Sequence, residues 1–116
     1  MSNTPQSTLE KPLVKDLIRE KVLVLDGAMG TMIQEYKFTE EDYRGSRFAT
    51  YEHPLQGNND LLTLTQPEAI QTIHEKYLAA GADIIETNTF SCTTIAMADY
   101  YMEDLVYELN YEATRI

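Results

Sequence analysis

The 116-residue sequence has the size of one domain, and 43% apolar with 24% charged residues is the composition of a chain that buries a core in water. Nine Lys and Arg against nineteen Asp and Glu leave a formal charge of -10, which opposes attraction to nucleic acid or to an anionic membrane surface. No window approaches the roughly 18 apolar residues of a membrane span, and no signal-like stretch follows a basic start, so the expected compartment is the cytoplasm.

Residues 1–10, MSNTPQSTLE, are polar and aperiodic and are expected to form a flexible leader, leaving 11–116 as the domain. Pro12 suits a first helical turn, and Leu13, Val14, Leu17 and Ile18 follow at helical spacing, which predicts a short amphipathic helix. The run VLVLD at 22–26 is continuously apolar until its last residue, the pattern of a strand covered on both faces as in a parallel sheet. Residues 36–60 carry aromatics, charges, Pro54 and the turn-prone QGNND with no sustained period, which predicts a long excursion.

Thr65 with Glu68 three residues on fits a capping box, and Pro67 sits in the first turn behind it. Ala69, Ile70, Ile73, Tyr77 and Leu78 then recur on one face, and Gly81 supplies a residue free to turn left-handed after the last turn. DIIETN at 83–88 reads as a second strand ending in polar side chains. From about Thr94 the spacing of Met102, Leu105, Val106, Leu109, Ala113 and Ile116 is helical to the last residue, with no closing signal. The order strand, excursion, helix, strand, helix predicts an α/β class with parallel connections, and two strands are too few for a complete sheet.

Ligands of parallel α/β folds gather at the carboxyl ends of the strands. Both expected strands are polar there: Asp26 on the first, and Glu86, Thr87, Asn88 and Thr89 on the second. Asp26 is suited to an ammonium group, while Gly27 and Gly30 let a ligand carboxylate approach backbone N–H groups, a pattern that fits a zwitterionic amino acid. The alternative is that Asp26 caps the following turn and the glycines only make the bend. GAMG lacks the third glycine of a dinucleotide fingerprint and the Lys-Ser/Thr of a P-loop, and Val24 stands where an aspartyl-phosphate enzyme would place a second acid.

Glu86 is either a ligand contact or a carboxylate held by a backbone donor. The one cysteine, Cys92, excludes an internal disulfide, makes no zinc site by itself, and reads as a small buried hydrophobe rather than a nucleophile. His74 is expected to face solvent and His53 to shape a turn beside Pro54. Asp99, Glu103, Asp104, Glu108 and Glu112 read as a solvated helix face, and Tyr36, Tyr43 and Tyr51 as packing for the excursion.

Three blocks, VLVLDGAMGTMIQ, GNNDLLTLTQPEAIQTIHEKYLAAGADIIETNTF and TTIAMADY, together resemble the N-terminal homocysteine-binding module of the cobalamin-dependent methionine synthases, within the homocysteine S-methyltransferase family. The resemblance implies the first two βα units of a (β/α)8 TIM barrel, so that 11–116 would be an incomplete barrel domain. It implies that Asp26, Gly27, Ala28, Met29, Gly30 and Thr31 hold the amino and carboxylate groups of homocysteine, and that Glu86, Thr87, Asn88 and Thr89 line the same pocket.

The family chemistry uses zinc on three cysteines, one in an Asn-Cys segment and two adjacent in a glycine-rich segment; neither segment occurs in this sequence, so no metal ligand and no catalytic residue is assigned. The implied function is methyl transfer from methylcobalamin to the homocysteine thiolate, giving methionine, with methyltetrahydrofolate and cobalamin engaged through modules absent from this sequence. The chain alone would supply part of the homocysteine pocket and be inactive. Two alternatives stand beside it: a cobalamin-independent homocysteine methyltransferase using betaine, S-methylmethionine or S-adenosylmethionine, and a non-catalytic acidic binding domain derived from the barrel.

Overall fold

A computed structural model describes residues 11–116; the leader expected at 1–10 lies outside the described residues. The architecture is helical. Among the described residues seven α-helices follow one another: α1 (Val14–Leu17), α2 (Met29–Tyr36), α3 (Glu40–Arg44), α4 (Leu62–Thr65), α5 (Pro67–Ala79), α6 (Thr94–Met97) and α7 (Val106–Arg115). Short 3-10 turns at Asn59–Leu61, Ala98–Tyr100 and Glu103–Leu105 lead into or join them. Helix α4 is the hub, packed against α3, α5 and α7.

The expected α/β class and barrel portion are corrected by this arrangement: 54% of the described residues are helical, 2% are paired in extended form, and no sheet is present among them. Of the two expected strands, only Leu25 and Ile84 pair, in a parallel bridge. Asp26 N–H donates to the Ile84 carbonyl at 3.1 Å, and the N–H groups of Asp83 and Ile84 donate to the Val24 carbonyl at 2.9 and 3.1 Å. Asp83 adds a brace, accepting the Val24 N–H at 2.9 Å and pairing with Lys21 at 2.8 Å. The physical reason is cover. A run that is apolar on both sides persists as a strand when layers bury both sides. Here Val22, Val24 and Leu25 stay 88, 48 and 56% exposed, and the helices pack on one another instead.

The expected excursion contributes to the core rather than looping away from it. Tyr43, Phe48 and Leu55 from that region join Leu61, Leu62, Ile70, Ile73, Met97 and Leu109 in one buried cluster. Full burial of each such aliphatic side chain is worth about 1.5–3 kcal/mol. A true capping box starts α3: the Thr39 hydroxyl accepts the Asp42 N–H, and the Asp42 carboxylate accepts the Thr39 N–H. Arg44 then donates to the carbonyls of Phe48, Tyr51 and His53, which curls the following segment around one guanidinium. Its partner Glu40 accepts the N–H groups of Leu55 and Gln56 at 2.7 and 2.9 Å. Burial pushes the Glu40 carboxyl up, but these donors and Arg44 outweigh it and hold the group below its ordinary range.

Helix α5 matches its expected span, and Pro67 occupies its first turn. The capping box at its start is absent: Gln66 is the cap, and the Thr65 hydroxyl donates back to the Leu61 carbonyl inside α4. Its end is as the sequence foretold. Gly81 takes a φ of +115°, and the N–H groups of Gly81 and Ala82 close onto the carbonyls of Leu78 and Tyr77, both at 3.1 Å. His74, expected in solvent, is buried; burial pushes its pKa below the ordinary imidazole value.

The continuous helix expected from Thr94 is broken. Thr93 caps α6 by accepting the Ala96 N–H, and Tyr101 then adopts a left-handed φ of 57°. The break is fixed from outside, because the Tyr51 hydroxyl reaches the carbonyls of Tyr100 and Tyr101 at 2.6 and 2.8 Å. The apolar series spaced by threes and fours begins at Met102, just past the break, and so carried no sign of it.

Candidate functional site

The carboxyl ends of the two extended segments come together without a sheet. The single bridge at Leu25 and Ile84 suffices, because each chain leaves it in the same direction. A cleft of about 490 Å³ opens beyond that point. Gly27, Met29 and Gly30 form one wall, Glu86, Thr87 and Asn88 a second, and Asn58, Asn59 and Asp60 the floor. Met97, Asp99 and Tyr100 complete it from the broken C-terminal helical region.

Of the residues singled out in the sequence, Gly27, Met29, Gly30, Glu86, Thr87 and Asn88 line this cleft, whereas Asp26, Ala28, Thr31 and Thr89 do not. Asp26 is exposed, and its carboxylate accepts the N–H of its own neighbour Gly27 at 2.8 Å, while the helix that follows has Ala28 at its N-cap and no side-chain cap bond. Thr89 turns to Thr87, with their hydroxyls 2.7 Å apart. Gly30 lines the cleft, and a Cβ built there meets nothing within 4 Å. Helix α2 begins at Met29, so the amides of Gly30 and Thr31 belong to a first turn whose N–H groups have no intrahelical acceptor.

Asn88 is 4% exposed and engaged with protein: its amide donates to the Asn59 carbonyl at 2.9 Å and the Thr63 hydroxyl at 3.3 Å. The floor residues were missed in the sequence, where NND read only as a turn. Asn59 is held by the buried Tyr43, whose hydroxyl donates to its side-chain oxygen at 2.7 Å. Asn58 turns its amide toward the sulfurs of Met97 and Met102. Asp60 is 4% exposed, accepts the Ser91 N–H at 2.6 Å and has no cationic partner among the described residues. No local signal in the sequence marked Asp60, because an aspartate beside leucines does not by itself show which side of the segment will be covered.

Cys92 is buried as expected and sits beside Asp60. Burial, reinforced by the Asp60 charge, pushes its thiol up to about 12, so it stays protonated. A zinc site needs thiolate or an equivalent donor set, and no three His, Cys, Asp or Glu side chains gather for a metal among the described residues. These residues do not fit a zinc ion. The electrostatic character of the cleft is one-sided: Asp60, Glu86 and Asp99 line it, and no Lys, Arg or His does.

Residues 23–116 match the sequence model of the homocysteine S-methyltransferase family. The match takes in most of the chain, and the chain belongs to that family.

Proposed function

We propose that this member of the homocysteine S-methyltransferase family methylates homocysteine as a cytoplasmic cobalamin-dependent methionine synthase, and that the cleft between Gly27–Gly30 and Glu86–Asn88 is its homocysteine pocket. The observation that carries the reading is the meeting of two sequence-distant polar segments in one cleft, in a chain whose family acts on homocysteine. The first-turn amides of α2 suit the substrate carboxylate, as groups at the positive end of a helix. The acidic lining suits its ammonium. Asp26 stands at the rim, one residue outside the lining, with Ala28, Thr31 and Thr89 as supports for the residues that touch the ligand.

In this reading methylcobalamin is the donor and methyltetrahydrofolate regenerates it, both held outside the described residues, as is any zinc. The described residues bind and orient the amino acid, and no step through a metal or corrinoid follows from them. A second reading has one observation in its favour. A cleft with three carboxylates, the aromatic residues Phe90 and Tyr100 and no cationic side chain also suits a sulfonium or quaternary ammonium donor, as in the cobalamin-independent branch of the family chemistry.

Gly30→Leu tests the pocket. The added side chain projects into open space and raises helix propensity by about 1 kcal/mol, so the fold is retained while the cleft is filled. Calorimetric titration is expected to show homocysteine binding to the native chain and none to the variant; equal binding by both would remove the cleft from the account. Titration with S-methylmethionine separates the two donors, since saturable binding in the cleft would favour the sulfonium reading.

A further inference from the structure

The floor and second wall of the cleft are joined by two buried side chains that contribute little surface to a ligand. Asn88 reaches from the wall to Asn59 and Thr63. Asp60 reaches the other way, from the floor to the Ser91 N–H at 2.6 Å, with the Cys92 thiol beside the same carboxylate. The two links cross in opposite directions and bracket Thr89–Phe90, so the wall from Glu86 to Ser91 is fixed at both sides of its turn. Phe90, between them, is 99% exposed, so apolar packing of its largest side chain does not hold this turn.

We propose that Asp60 is a positioning residue for the homocysteine pocket: by accepting the Ser91 N–H it holds the Glu86–Ser91 wall at the spacing from Gly27–Gly30 that the ligand requires. A carboxylate does this better than a neutral acceptor, because a bond from N–H to an ionised oxygen is shorter and about twice as strong. It also carries a cost, since an unpaired buried carboxylate loses solvation, and burial accordingly pushes its pKa up. A group retained at such a cost beside a cleft is explained by the geometry it enforces. The inference rests on the homocysteine reading for its ligand, and on the contacts of Asp60 alone for its mechanism.

The test uses Asp60→Ala and Asp60→Asn in the full chain, with three readouts: homocysteine affinity by calorimetry, the amide proton shift of Ser91, and the pH profile of Cys92 alkylation. Asp60→Ala should weaken homocysteine by about tenfold, the lower end of what removing a group that orients ligating side chains costs. Asp60→Asn, which keeps an oxygen for Ser91, should recover most of that loss. In both variants the alkylation midpoint of Cys92 should move to lower pH, because the neighbouring negative charge is gone.

Native affinity in Asp60→Ala, or equal losses in the two variants, would overturn the positioning role. If Asp60→Ala does not fold, the native chain still decides: its Ser91 amide must lie downfield and move as Asp60 titrates, and an insensitive Ser91 amide overturns the link. A native chain that ignores homocysteine, with the Cys92 profile still shifted in the variants, overturns the functional reading and the ligand role built on it but leaves the Asp60 contacts standing.

Discussion

Residues 22–26 and residues 58–63 make an instructive pair. The first is the more apolar, yet its valines and Leu25 lie open to solvent, and it is held by the bridge to Ile84 and the Asp83 carboxylate that braces it. The second mixes two asparagines, an aspartate and a threonine with two leucines, yet Asn58, Asp60, Leu61, Leu62 and Thr63 are all buried. Hydrophobicity supplies the drive to be covered, and topology decides what gets covered. In this molecule α4 lies at the crossing of α3, α5 and α7, so its neighbours in sequence are drawn inside with it, polar groups included. Each buried polar group there is satisfied by a named partner, and no buried side-chain nitrogen or oxygen among the described residues lacks one.

The contrast is broken most forcefully by truncation. Leu62→Ala removes a fully buried side chain at the hub and is expected to destabilise by about 2–5 kcal/mol in urea unfolding, whereas Val24→Ala in the exposed run should change stability by less than about 0.5 kcal/mol. Equal costs would mean that the 22–26 run is covered in solution.

Next in size is Asn88→Ala, which removes the two bonds that the Asn88 amide donates to the Asn59 carbonyl and the Thr63 hydroxyl and should cost about 1–3 kcal/mol. Thr87→Ala, whose hydroxyl partner is the neighbouring Thr89 near the surface, should cost well under that by the same measurement. Gly81→Ala follows, at about 1 kcal/mol, because a side chain is strained at a φ of +115° even where a Cβ meets nothing within 4 Å.

The smallest effect sharpens the picture of α5. The folded-state pKa of His74 lies below its value of 6.5 in the unfolded chain. Above that pH both states are neutral and the group contributes nothing. As pH falls below 6.5 the unfolded chain takes up the proton first, so stability declines until the folded-state pKa is reached. Urea midpoints at pH 7.5 and 5.5 should show this loss in the native chain and a smaller one in His74→Gln; an unchanged loss would assign it to other groups.

How much of this could be read from the sequence follows the same division. Signals carried by single residues survived: Pro67 opens α5, Gly81 closes it, and Cys92 is buried. Signals that depend on a partner failed. VLVLD and DIIETN have the composition of strands, but pairing requires covering layers, and the described residues form helices that pack on each other. Thr65 and Glu68 have the spacing of a capping box, but the Thr65 hydroxyl is taken by Leu61, and Thr39 with Asp42 forms the box instead.

The site was half legible for the same reason. Glycines and polar tips marked Gly27, Gly30 and Glu86–Asn88 as a meeting place, and they do meet. Asp60 acquires its place only when the 58–63 segment folds under the wall, which no local pattern announces. Asp26, the most conspicuous acid in the sequence, accepts the N–H of its own neighbour Gly27.

The most direct test of the account is an amide-resolved NMR titration of the native chain with homocysteine. The account predicts saturable shifts at Gly27, Gly30, Asn59, Asp60, Thr87 and Asn88, with Tyr107 and Tyr111 on the outer face of α7 unmoved. Shifts confined to that outer face, or saturation that leaves the Gly27–Gly30 and Thr87–Asn88 amides still, would contradict it.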